Sequence, residues 1–128
     1  MKYNKNVLEI KKDIENHLYI RDLATKYRGR DEIIARSLYY HLCMKFTYLS
    51  LTKIGATLGR THATVIHANT EFPFILPYYP DVQILMKKLT AKYINEGYNL
   101  SVKKDIEVVY CNLVKNEIET NNANYSTY

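Results

Sequence analysis

Apolar residues recur at helical spacing along most of the chain, with polar residues filling the gaps. Val7, Leu8, Ile10, Ile14 and Leu18 predict an amphipathic helix over 5–18, with Lys11, Lys12, Asp13 and Glu15 mostly opposite. Residues 21–26 are expected to add a short second helix. Ile33, Ile34, Leu38, Leu42 and Phe46 trace a longer stripe, widened by Ala35, Tyr39 and Cys43. A core helix is therefore expected over 31–46, with Arg36 and Lys45 as its exposed basic groups. Leu51, Ile54 and Leu58 mark a short helix within 50–58. After a turn, Ala63, Val65, Ile66 and Ala68 are the expected apolar positions of the next helix. Residues 72–80 hold all three prolines, so this stretch is expected to interrupt helix and form a rigid aromatic connector. Val82, Leu85, Met86, Leu89 and Tyr93 predict a helix over 80–95, with Pro80 in its first turn and Gly97 past its end. Val102, Ile106, Val109 and Leu113 predict a last helix over 102–118, capped by Ser101 and pairing with the preceding one as a hairpin. Residues 119–128 are polar and aperiodic and read as a disordered tail. The fold class expected is all-α.

Local chemistry sharpens the middle of the chain. Ser50 suits an N-cap, because its hydroxyl can accept from an orphan backbone N–H. Gly59 supplies the positive φ that a helix end often needs, and Thr61 can cap the helix that follows. A helix, a Gly-bearing turn and a second helix make a helix-turn-helix. The start of its second helix displays Arg60, Thr61, His62 and Thr64, side chains that can reach base edges in a major groove. His67 is read on the inner side of the same helix, hydrogen-bonded and half-buried. Tyr27-Arg28-Gly29-Arg30 forms a basic turn. Its arginines can enter a narrow minor groove, or they can pair with Asp22, Asp31 or Glu32.

Ile54 to Ala68 reads Ile-Gly-Ala-Thr-Leu-Gly-Arg-Thr-His-Ala-Thr-Val-Ile-His-Ala. This stretch resembles the signature of the C-terminal DNA-binding domain of the bacterial replication initiator DnaA. That signature runs roughly Ile-Gly-x-x-Phe-Gly-Gly-Arg-Asp-His-Ser/Thr-Thr-Val-x-His-Ala. Asp22-Leu23, Arg28 and Arg30, Ala35-Arg36 and the run from Leu42 to Gly55 also keep the family's spacing, so the likeness covers about residues 14–72. It implies a helix-turn-helix domain of the DnaA C-terminal, Trp-repressor-like type over 1–76, to which 77–118 adds a helical hairpin. It implies that Thr61, His62, Ala63 and Thr64 read bases and that Arg60 holds a phosphate or a guanine. Ser50, Thr52 and Lys53 would clamp the DNA backbone. Arg28 falls on the family's minor-groove arginine, with Arg30 beside it. Three departures stand out: one turn glycine is missing, the family's Asp before the His is Thr61, and a proline is replaced by Thr52.

Charge agrees with a polyanionic partner for one half of the chain. Residues 1–70 hold 12 Lys/Arg against 6 Asp/Glu, and all five arginines lie within the first 60 positions. Residues 71–128 hold 6 against 7. Double-stranded DNA is the partner expected for the first half. Residues 72–118 are the expected surface for a homodimer or a protein partner. Glycines at only 29, 55, 59 and 97 leave no room for a P-loop, so no nucleotide is expected. His62 and His67 stand about 140° apart round a helix and cannot share a metal. No catalytic set, cofactor or metal site is expected, and the chain is not read as an enzyme. Two cysteines without a secretion signal fit a reducing cytoplasm, and no apolar run of about 18 residues predicts a membrane span. The function expected is sequence-specific double-stranded DNA binding, as a replication-origin or transcription regulator without ATPase activity and of phage or mobile-element type. The alternative is an interaction protein that keeps the helix-turn-helix as a scaffold and uses the hairpin as its interface.

Overall fold

The computed structural model describes residues 4–26 and 28–100. They form five α-helices: α1 (Val7–Leu18), α2 (Arg30–Phe46), α3 (Leu51–Thr57), α4 (His62–Ile75) and α5 (Pro80–Asn95), with a 3₁₀ turn at Leu76–Tyr78. The expected helix over 102–118 and the polar tail lie outside the described residues.

α2 is the axis of the molecule. α1, α4, α5 and the N-terminal part of α3 all pack against it. Ile34 through Tyr40 is buried without a break, followed by Leu42, Cys43, Met44 and Phe46. A helix covered on so many sides loses its amphipathic stripe. Ile33, expected inside, is 41% exposed, whereas Arg36, expected outside, is 7% exposed.

Residues 21–26 form a turn and not the short helix expected. The Asp22 carboxylate accepts from the Ala24 N–H at 2.9 Å, and the Glu15 carboxylate accepts from the Leu23 N–H at 2.7 Å. The carbonyls of Leu23, Ala24 and Thr25 accept from arginine side chains instead of from a helix ladder.

The helix-turn-helix is built as its capping residues dictate. Ser50 Oγ accepts from the Lys53 N–H at 3.2 Å, Gly59 turns the chain at φ +70°, and Thr61 Oγ1 accepts from the Thr64 N–H at 3.4 Å. The inner face of α4 is not the one expected. Val65, Asn69 and Phe72 are its buried positions, while Ala63 and Ile66 face out. Asn69 hides the pattern because it is polar; its Nδ2 lies 2.7 Å from Met44 Sδ. α4 also runs through Pro73 to Ile75, so the proline stretch does not interrupt helix where expected. Phe72, packed beside His41 with ring centroids 5.2 Å apart, anchors that last turn.

α5 shares the same core. Val82, Leu85, Leu89 and Tyr93 are buried, at the predicted spacing. Tyr93 meets Phe46 edge-on at 5.3 Å and donates to Asp13 Oδ2 at 2.7 Å. Lys5 clasps the other end, 2.8 Å from Glu96 and 2.9 Å from Glu9.

Candidate nucleic-acid interface

Thr61, His62, Ala63 and Thr64 are all exposed on the first turn of α4 and its cap. Their short side chains leave the helix start open to a large ligand, and the unsatisfied N–H groups there favour an anion. Ser50, Thr52 and Lys53 are exposed together on the first turn of α3. His67 is also exposed on α4, against the expectation of a half-buried position. α4 turns its Val65–Asn69–Phe72 face inward, and His67 lies off that face.

Arg28 and Arg30 are exposed on the basic turn and the first residue of α2. Among the described residues no ion pair joins either of them to Asp22, Asp31 or Glu32. Asp22 instead lies 2.9 Å from Lys11. That hydrogen bond, with the one from Ala24, holds its carboxyl below the usual range. Local pairing therefore does not account for the two arginines.

A groove of about 930 Å³ lies between α2, α4 and the residues Lys26 and Arg28. Lys26, Arg28, Arg60, Thr61 and Thr64 line it, with Tyr40 and Arg36 from α2. The structure thus brings Arg28, Arg60, Thr61 and Thr64 to one groove. Arg30, Ser50, Thr52, Lys53, His62 and Ala63 do not line it, though each is exposed.

Arg60 is held differently from its neighbours. Its guanidinium turns back across the turn, donating to the Ala24 carbonyl at 2.9 Å, the Thr25 carbonyl at 2.6 Å and the Leu58 carbonyl. Arg36 reaches the same loop from below, with Nη1 3.2 Å from the Thr25 carbonyl and 3.4 Å from that of Leu23. Burial lowers the pKa of Arg36, and the charge of Arg60 adds to the effect. The Tyr40 phenol goes the other way: burial raises it, against the opposing pull of Arg60 and Arg36. Sequence reasoning passed over Arg36 and Tyr40. Arg36 reads as an exposed basic group of its helix, and Tyr40 carries no signal of its own.

No helix of the described residues is long and apolar enough to cross a membrane. No solved structure gives a significant match to the chain. A family model described as the bacterial DnaA protein helix-turn-helix matches residues 9–71, which span α1, the basic turn, α2, α3 and most of α4. Residues 9–71 of this chain belong to the bacterial DnaA helix-turn-helix family.

Proposed function

We propose that the protein binds double-stranded DNA and reads its sequence. The start of α4 enters the major groove while Arg28 enters the neighbouring minor groove. The observation that carries this reading is the cluster of four exposed residues, Thr61 to Thr64, beside a basic groove edged by Arg28. Membership of the DnaA helix-turn-helix family supports it. Base contacts would come from Thr61, His62, Ala63 and Thr64, with Ala63 suited to a thymine methyl. Ser50, Thr52, Lys53 and Arg30 would hold phosphates and fix the register. Arg60 would contribute charge to the groove floor while its hydrogen bonds hold the turn.

Specificity should differ from that of family members carrying Asp at the Thr61 position. An Asp carboxylate only accepts, and suits a cytosine amino group. Thr61 Oγ1 already accepts within the cap and lies 3.3 Å from Thr64 Oγ1. A hydroxyl so placed keeps a proton to donate, which suits guanine O6 or thymine O4. Bound at an origin or beside a promoter, such a reader acts as a regulator by occupying its site.

A fluorescence-anisotropy titration of duplex DNA tests the reading, with wild type beside His62→Ala/Thr64→Ala and Arg28→Ala. About four to six neutralised phosphates give a log–log salt slope of about −4 to −5. Loss of sequence preference in the α4 variant supports the major-groove assignment. Binding that ignores both salt and the substitutions refutes it.

A second reading draws on α5 and the turn before it. Tyr78 is 81% exposed and Ile84 67% exposed. They suit a surface for a protein partner or a second copy. Sedimentation of wild type against Ile84→Glu separates that reading from a monomeric reader.

A further inference from the structure

The floor of the groove holds a polar atom with no partner. Tyr40 is 1% exposed, it lines the groove, and among the described residues nothing hydrogen-bonds its hydroxyl. An unmet buried hydroxyl is a standing cost that native cores avoid. Its neighbours are cationic. The charges of Arg60 and Arg36 both act on the phenol, and Arg60 is held by backbone carbonyls with no described carboxylate within ion-pair distance. Lys26 and Arg28 add two more cations to the lining, against the single acid Glu71.

We propose that this groove is a phosphate-binding site in which Tyr40 Oη donates to a phosphate oxygen and Arg36 and Arg60 supply the charge. The proposal assigns a ligand to the floor of the interface and rests in part on the DNA-binding reading. The phosphate comes either from the DNA backbone, where the strand passes between the two grooves, or from a free phosphorylated small molecule. Volume admits either, since small-molecule sites span about 300–1,000 Å³. A phosphate satisfies three features at once. It accepts from the orphan hydroxyl, it meets the charge of two guanidiniums that share the Thr25 carbonyl, and it leaves the carbonyl bonds of the 23–25 turn in place.

Tyr40→Phe removes the hydroxyl and nothing else. Two titrations are run on wild type and variant: duplex DNA by anisotropy, and inorganic phosphate by NMR of the Arg36 and Arg60 Nε–H signals. Thermal melting of both free proteins accompanies them. The expected result is a variant at least as stable as wild type, because no hydrogen bond is lost in the free state. Its affinity falls about ten- to hundred-fold, the value of a hydrogen bond to a charged group. The salt slope for DNA is unchanged, because no charge is removed. A loss confined to DNA identifies a backbone phosphodiester, and a loss with inorganic phosphate as well identifies a free phosphate. Unchanged affinity in both arms overturns the proposal, as does a variant that melts several degrees below wild type. If wild type binds no duplex but shows Tyr40-dependent phosphate shifts, the DNA reading fails and the phosphate site stands. If duplex binds equally well to both proteins and phosphate shifts neither, the phosphate site fails and the DNA reading stands.

Discussion

Gly55, inside α3, and Gly59, in the turn that follows it, lie four residues apart, and they resist substitution for opposite reasons. A Cβ on Gly55 would sit 2.7 Å from the Arg60 carbonyl oxygen and 2.9 Å from that of Thr61. Ordinary contact begins near 3.4 Å, so the start of α4 must retreat by about 0.7 Å. That retreat pulls on the Arg60 N–H, which donates to the Gly55 carbonyl at 2.8 Å. Overpacking of this kind costs about 1–3 kcal/mol, and a weakened hydrogen bond adds about 1 kcal/mol. Alanine returns about 1 kcal/mol of helix propensity. The net is a loss of about 2 kcal/mol, or about 10 °C in Tm for a domain of this size. Gly59 meets nothing within 4 Å but holds φ +70°, so alanine there costs about 1–2 kcal/mol of left-handed strain. Asparagine tolerates that conformation. Thermal melting should therefore rank Gly59→Asn above Gly59→Ala, and Gly55→Ala above Gly55→Asn. A Gly55→Ala protein that melts within 2 °C of wild type would refute the close-approach argument, by the same conversion. So would a matching rank order at the two sites.

Three further outcomes follow from the core and the clasp. Burial pushes the His41 imidazole down to about 3, so it stays neutral in the fold while the unfolded chain takes a proton near pH 6.5. Stability is full above that pH and falls as pH drops, by up to about 2 kcal/mol between pH 6.5 and 5; urea midpoints for His41→Leu should lack that limb. Tyr93→Phe removes the donor to Asp13 and should cost about 1.5 kcal/mol, read as a lower urea midpoint with an unchanged m-value. Arg60→Lys keeps the charge but cannot span the Ala24, Thr25 and Leu58 carbonyls together. Equilibrium unfolding should show a loss of about 1.5–3 kcal/mol for each charged hydrogen bond removed, and amide exchange should quicken at residues 24–28.

What was legible in the chain follows from the range of each interaction. The Ser50 and Thr61 caps and the Gly59 turn are written within four residues, and the structure keeps all three. The α5 stripe was equally readable, because that helix is covered on one side. Asn69 broke the pattern on α4 because its polarity is met by Met44, 25 residues away in sequence. Pro73 misled because a proline near a helix end sacrifices one bond, which packing by Phe72 and Ile75 offsets. The turn at 21–26 was unreadable for a related reason. Its carbonyls are claimed by Arg36 and Arg60, and the Arg60 bonds span 35 and 36 residues. No local pattern contains that information.

Those long-range bonds also decide how the two proposed readers are coupled. Arg28 lies three residues beyond Thr25, and Arg60 immediately precedes the Thr61 cap of α4. Thr25 accepts from both guanidiniums, so one carbonyl ties the 21–26 turn to α2 and to the residue before the α4 cap. A charged hydrogen bond of about 1.5–3 kcal/mol at each arm holds this frame well above thermal energy. The spacing between the proposed minor-groove arginine and the proposed major-groove helix start is then constrained in the free protein. The missing turn glycine fits the same account. Here Arg60, directly after Gly59, holds the Ala24 and Thr25 carbonyls. Binding should therefore tolerate a base change at one end of the site poorly when the flanking A·T-rich step is also altered. A rigid frame cannot re-seat one reader without displacing the other.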